Sequence, residues 1–228
     1  MTAKLTAQRK RANEIVKRLK LEYPSAKCSL NYDTTHQLLV ATILSAQCTD
    51  KRVNQITSKL FKKYQDIEDF AYANLSVLAQ DIRSAGYHNS KAKSIQGSAL
   101  KIIEDFYRQV PNNIDDLVSL PGVGRKTANC ILGECFKIPA MVIDTHMLRI
   151  MNLLDFSNTK NAVKMEHELI EIFNKKDWVK LTHLIIDHGR AICNARRPQC
   201  QNCVIMDLCP GKKISIIHKT KIPLSQSR

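Results

Sequence analysis

Two side chains in the middle of this sequence, an amine and a carboxylate, are of types able to do chemistry. Lys126 stands in the run Leu120-Pro121-Gly122-Val123-Gly124-Arg125-Lys126-Thr127-Ala128, and Asp144 follows in Val142-Ile143-Asp144-Thr145-His146. A lysine amine attacks only when neutral, which at pH 7 is ~1 in 1,000 of ordinary lysines; the positive end of a helix dipole favours that neutral form. A carboxylate nearby could accept a proton or stabilise positive charge developing on the substrate. An aspartate ahead of Thr145-His146 is also a good helix cap, and Asp144 can serve as both.

The elements that would position Lys126 are legible in the same run. Leu117, Val118 and Leu120 end one helical segment, Pro121 and Gly122 break it, and a second helix runs from Arg125 through Ala128, Ile131 and Leu132 toward Cys135 and Phe136. A tight Gly-x-Gly turn between two helices would leave the amides of Val123, Gly124 and Arg125 open at a helix start, which suits a phosphate. Pro-Gly before a helix is also an ordinary loop, and this stretch alone does not separate the two readings. A Walker phosphate loop is excluded, because it needs a preceding strand and a Gly-Lys pair, whereas Arg125 separates Gly124 from Lys126.

A second group of chemically able residues lies near the end. Cys193, Cys200, Cys203 and Cys209 follow the pattern Cys-x6-Cys-x2-Cys-x5-Cys. Four thiolates in one short loop need a metal or cluster to offset their repulsion. A zinc ribbon would show two Cys-x2-Cys pairs, and only one is present, so zinc and an iron-sulfur cluster both stay open at this point. Held in place, such a loop would present Arg196, Arg197, Lys212 and Lys213 to phosphates. Cys28, Cys48, Cys130 and Cys135 lack such grouping and read as buried or free thiols.

Composition bounds the partner. The chain has 228 residues, a formal charge of +14 and 44% hydrophobic residues, enough for a substantial core in one or two domains and an electrostatic partner that is negative. Nucleic acid is the first candidate and an acidic membrane surface the second. No apolar run reaches the length of a span and no signal-peptide core is present, so a soluble, intracellular protein of the cytoplasm is expected. A basic first dozen residues keeps an organellar presequence as the alternative, against which Glu14 and Glu22 speak.

Read in order, the chain is helical throughout. Residues 3 to 22 carry Leu5, Ala12, Ile15, Val16 and Leu19 at near-helical spacing. Asp33 or Thr34 caps a nearly all-apolar, hence central, helix ending in Ser45-Ala46-Gln47, and Asp50 caps a basic helix through Lys62. Two short helices fit between Ile67 and Asp81. Gly86-Tyr87 turns into a long helix from about residue 90 to 107, with Tyr87 a surface aromatic beside Lys91 and Lys93 that would suit DNA. Further helices start at Thr145, near Val163 and at Asp177. No strand alternation or repeat period is present, so the fold class is all-α.

Leu-Pro-Gly-Val-Gly-Arg-Lys-Thr-Ala resembles the helix-hairpin-helix of the endonuclease III family of DNA glycosylases, and Val142 to His146 resembles the segment carrying that family's catalytic aspartate. The resemblance spans about Ala12 to Cys209. It implies Lys126 as nucleophile and Asp144 as its carboxylate partner, and one [4Fe-4S] cluster on Cys193, Cys200, Cys203 and Cys209 as a scaffold. Two helical lobes are implied, a barrel over 28–138 and a second lobe of 1–27 with 139–209, with DNA in the cleft between them and a basic, partly flexible tail over 210–228. Gln47 would probe the gap left by a flipped nucleotide, and Tyr87, where leucine or phenylalanine is commoner, would wedge into the stack. With Gly122, Val123, Gly124, Arg125, Arg196, Arg197, Lys212 and Lys213 these form the implied DNA contacts. The implied activity is removal of oxidised pyrimidines from damaged double-stranded DNA followed by cleavage of the abasic site through a lysine Schiff base, by a monomer. Alternatives are a mismatch glycosylase, which would carry a glutamate where Val40 to Gln47 has none, and a helix-hairpin-helix module that binds DNA without chemistry.

Overall fold

A computed structural model describes residues 3–211. Among them every regular element is a helix or a 3-10 turn: α1 (Ala3–Glu22), α2 (Thr35–Ser45), α3 (Asp50–Lys63), α4 (Ile67–Ala71), α5 (Leu75–Asp81), α6 (His88–Asp105), α7 (Ile114–Val118), α8 (Arg125–Glu134), α9 (Thr145–Leu153), α10 (Ala162–Ile170) and α11 (Trp178–Ala191). No helix among the described residues is long and apolar enough to cross a membrane. The chain divides into two compact units, Cys28–Ala140 and the combination of Met1–Lys27 with Met141–Arg228.

In the first unit the apolar run of α2 is buried on almost every side, with Leu38, Leu39, Val40, Ala41, Ile43 and Leu44 all in the core. Each fully buried Leu or Ile contributes roughly 1.5–3 kcal/mol, so α2 is the post around which the unit forms. Thr34 caps it, its hydroxyl accepting from the Gln37 amide at 3.3 Å. The cap of α3 differs from expectation: Thr49 accepts from Arg52 N at 3.3 Å, and Asp50 is the first helical residue, where its charge still complements the dipole. The short α4 is held by the core side chains Ile67 and Phe70, Phe70 stacking on Tyr64 at 5.1 Å between ring centroids.

The other unit wraps its own core of Ile15, Leu19, Met147, Ile150, Leu169, Leu181 and Ile185. The basic face of α1 is used for docking within this unit. Arg11 donates to Leu154 O at 2.7 Å and to Leu208 O at 3.1 Å while lying over the Phe156 ring, and Arg18 pairs with Asp207 at 2.7 Å. Lys20 pairs with the buried Asp177.

Candidate active site

The hairpin around Lys126 forms because each residue of the turn meets a specific local demand. Asn113 caps α7, accepting from Asp116 N at 2.9 Å, and Ser119 ends it. Leu117, Leu120 and Val123 are buried and anchor the turn from below. Gly122 sits at φ +77, and a Cβ there would lie 2.6 Å from the Ser94 Cβ, so only glycine lets the turn lie against α6. From the same helix Ser98 donates to Pro121 O at 2.6 Å, and Gly97 leaves room for the Pro121 ring. The turn is therefore fixed to α6 at three successive residues of one face.

The expected trio of open amides needs correcting. Val123 N–H donates to Leu120 O at 3.1 Å and is spent inside the turn. What the hairpin leaves for a ligand is the start of α8, whose N-cap Gly124 has no side chain to close it. Lys126 is the second residue of α8, exposed, with Ala128, Ile131 and Leu132 buried on the opposite side. Helix α8 ends at Glu134 with Cys135 as its cap, short of the expected Phe136. One turn past Lys126, the Cys130 thiol is pushed well up by a hydrogen bond with Cys28 and by burial. These two cysteines, read from sequence as ungrouped, meet across the core.

In the other unit the run Met141 to Ile143, which has no regular structure, delivers Asp144 as N-cap of α9. Its Oδ1 accepts from Met147 N at 2.8 Å, and the side chain is half-buried. The capping role read from the sequence is thus present. Nearby, His146 packs against Gly189 of α11, where any Cβ would collide with Nδ1. That nitrogen is buried and has no hydrogen-bond partner among the described residues.

Gln47 and Tyr87 are both exposed, and both are non-glycine residues at positive φ, +54 and +50. With Ile43, Ser94 and Gly122 they line one concavity, so the residues expected at a flipped nucleotide and the hairpin glycine share a single surface of the first unit. Lys91 lines it too, but as a buried side chain, which corrects its expected place beside Tyr87 on the surface.

The cluster expectation is overturned. Among the described residues no group of three or more His, Cys, Asp or Glu is placed to hold a metal ion. Cys193, Cys200, Cys203 and Cys209 border a pocket walled by Ile150, Leu153, Leu154 and Ile205, and three of the sulfurs are engaged separately. Arg149 reaches Cys193 Sγ at 3.6 Å, His188 Nε2 lies 3.6 Å from Cys203 Sγ, and Cys209 Sγ donates to Leu153 O at 3.8 Å. Burial pushes the Cys203 thiol up to about 11. No [4Fe-4S] cluster is therefore assigned to these cysteines. The segment is tied down by protein contacts and two short 3-10 turns, Cys200–Asn202 and Met206–Leu208. Arg196 and Arg197 are exposed there. Lys212 and Lys213 lie outside the described residues, as does the tail beyond Gly211.

Residues 40–175 match the HhH-GPD superfamily of base excision DNA repair proteins, a span that includes the hairpin, Lys126 and Asp144. Endonuclease III of Synechocystis sp. is 44% identical over 213 residues, 93% of this chain and 97% of that protein. The chain belongs to the endonuclease III family. Among solved endonuclease III structures, a non-covalent complex with DNA superposes with a TM-score of 0.87 at 36% identity, covering 92% of this chain and 98% of that one. A trapped covalent intermediate of endonuclease III with DNA gives a TM-score of 0.86 at 36% identity, covering 91% and 98%. Two residues of this endonuclease III family member carry structural weight that their types did not announce: Lys91, whose partners are all backbone carbonyls, Leu44 O and Ala46 O lying far away in sequence, and Ser94, recognisable only from the glycine it faces.

Proposed function

We propose that this chain is a base-excision-repair enzyme with two activities, releasing oxidised pyrimidines such as thymine glycol from duplex DNA and cleaving the resulting abasic site by β-elimination. Lys126 is the nucleophile of this reading and Asp144 its carboxylate partner. The observation that carries it is the exposed amine of Lys126 at the open start of the hairpin's second helix, in a chain with the fold of an endonuclease III that has been trapped covalently on DNA.

The chemistry follows from those groups. Extrusion of the damaged nucleotide costs on the order of a few kcal/mol, least for bases that stack and pair poorly. The bond from C1′ to the base breaks with its electron pair going to the base, and the neutral Lys126 amine forms a bond to C1′. Asp144 stabilises the positive charge on the sugar and takes up a proton from the attacking nitrogen. Ring opening gives an imine between Lys126 and C1′. Loss of a C2′ proton then expels the 3′ phosphate, and water hydrolyses the imine to free the enzyme. Phosphates flanking the site meet the uncapped start of α8 and the exposed Arg196 and Arg197.

Borohydride reduction of the imine is the test. Wild-type protein incubated with an abasic duplex should give a stable crosslink that peptide mapping assigns to Lys126. Lys126→Ala should abolish trapping and strand cleavage while retaining most duplex affinity. A crosslink on a different lysine would remove Lys126 from the mechanism, and no crosslink at all would leave a glycosylase that uses water or a DNA-binding module.

A further inference from the structure

Lys91 is the second lysine of the first unit to which the fold gives a special place. It is 6% exposed, and its ammonium faces backbone, with Nζ donating to Leu44 O at 2.8 Å, Ala46 O at 2.8 Å and Ala85 O at 2.9 Å. An ammonium has three N–H donors, and all three are used. Two of the acceptors belong to the last turn and cap of α2, where helix carbonyls lack internal partners and the dipole is negative. The third ends the short 3-10 turn Arg83–Ala85. The residues that follow these acceptors are Gln47, one position after Ala46, and Tyr87, two after Ala85.

We propose that Lys91 is a positioning residue for base extrusion: its three hydrogen bonds tie together the two strained backbone segments that present Gln47 and Tyr87, so that both enter the duplex from one rigid edge. The inference rests on the reading above that Gln47 and Tyr87 occupy the space of the extruded nucleotide. Several features fit together. Gln47 and Tyr87 are held at φ +54 and +50, conformations that persist only when surroundings over-determine them. Tyr87 has no side-chain capping bond of its own, although it is the N-cap of α6. Both residues are exposed and share a concavity with Lys91 and Gly122. Burial lowers the Lys91 pKa, so the charge is kept at a cost that three aligned carbonyls offset.

The experiment separates base release from strand cleavage, because a preformed abasic site has no base to expel. Lys91→Met keeps the aliphatic stem and removes every donor. It should slow release of thymine glycol by ~30-fold or more while cleavage of an abasic duplex stays within ~3-fold. Lys91→Arg keeps charge and donors but replaces a tripod with a planar fork; if the Met variant fails to fold, the Arg variant should show the same selective loss at several-fold size. In a background of Gln47→Ala with Tyr87→Ala, Lys91→Met should add less than ~3-fold further loss, since what it positions is gone. Equal loss on both substrates, full additivity in that background, or unchanged base release by folded Met and Arg variants would each overturn the proposal. Wild-type protein inactive on both substrates would instead bring down the functional reading on which it rests.

Discussion

The two readings of Asp144, cap and chemical partner, can be separated because they differ in size by orders of magnitude. Its Oδ1 accepts from Met147 N at 2.8 Å. Asp144→Asn keeps an acceptor in that position and loses only the charge beside the helix start, worth ~0.3–1 kcal/mol. Asp144→Ala loses the bond as well, about 1 kcal/mol for an average cap. For a chain of this size each kcal/mol moves Tm by ~2–4 °C, so the Asn variant should melt ~1–4 °C and the Ala variant ~3–8 °C below wild type. Neither loss would leave a measurable unfolded fraction at 25 °C in a protein stable by ~5–15 kcal/mol. A pure cap therefore predicts normal activity in both. A charge aimed at a developing cation predicts instead a loss of ~100- to 1,000-fold, the range seen when one preorganised electrostatic partner is removed.

The measurement is single-turnover base release from a duplex carrying one thymine glycol, at 25 °C, beside thermal melts and lesion-duplex affinity of the same preparations. The expected pattern is a near-native Tm, retained binding and a rate down by at least ~100-fold in the Asn variant. An Asn variant within ~3-fold of the wild-type rate would reduce Asp144 to its cap and remove it from the mechanism.

Two other expectations follow from the hairpin and its surroundings. Gly122→Ala places a Cβ at φ +77, 2.6 Å from the Ser94 Cβ; strain and overlap together should cost about 2–3 kcal/mol, lowering Tm by roughly 4–12 °C, with Ser94→Gly in the same chain restoring the steric part. An unchanged melting temperature would refute that packing. Affinity for undamaged duplex should fall by more than ~10-fold between 50 and 200 mM salt, and Arg196→Glu with Arg197→Glu should flatten that slope, as filter binding across a salt series would show. Binding indifferent to salt would contradict the role given to the charge of +14.

What could be read from sequence was what local rules govern. The apolar run of α2 can only be central, Pro121-Gly122 can only break a helix, and Thr34 or Asp144 before a helix is a cap whatever else it does. The errors are equally local in kind. At Thr49-Asp50 two good caps stand in succession, and which one reaches the third amide is a matter of where the chain enters the helix. Lys91 read as a surface charge because its acceptors, Leu44 O, Ala46 O and Ala85 O, are carbonyls that leave no side-chain signature. Cys28 and Cys130 meet only through folding over most of the first unit. In the cysteine segment spacing suggested a shared ligand, whereas Arg149, His188 and Leu153 O engage three of the sulfurs singly.

Strain gives a way to tell structural from functional backbone here. Among the described residues six non-glycine residues have positive φ: Gln47, Tyr87, Tyr107, Arg108, Lys137 and Asp155. Four of them stand just past helix ends closed by long backbone bonds, Arg108 N to Ile102 O at 3.1 Å, Ile138 N to Leu132 O at 3.0 Å and Phe156 N to Met151 O at 3.0 Å, the left-handed stop that most proteins give to glycine. Gln47 and Tyr87 differ. After α2 the closing bond is the short Cys48 N to Ser45 O turn, with Lys91 taking the carbonyls on either side, and Tyr87 precedes its helix. Glycine substitution tests the distinction. Relief of a left-handed side chain, ~1–2 kcal/mol, outweighs the ~0.4–1 kcal/mol that glycine costs through the unfolded chain, so Gln47→Gly and Lys137→Gly should each raise Tm by ~1–4 °C. Only Gln47→Gly should slow base release, because only there does the strained residue face the concavity that holds Tyr87 and Gly122. Equal rates in the two glycine variants would mean that the strain at Gln47 is no more than another way of stopping a helix.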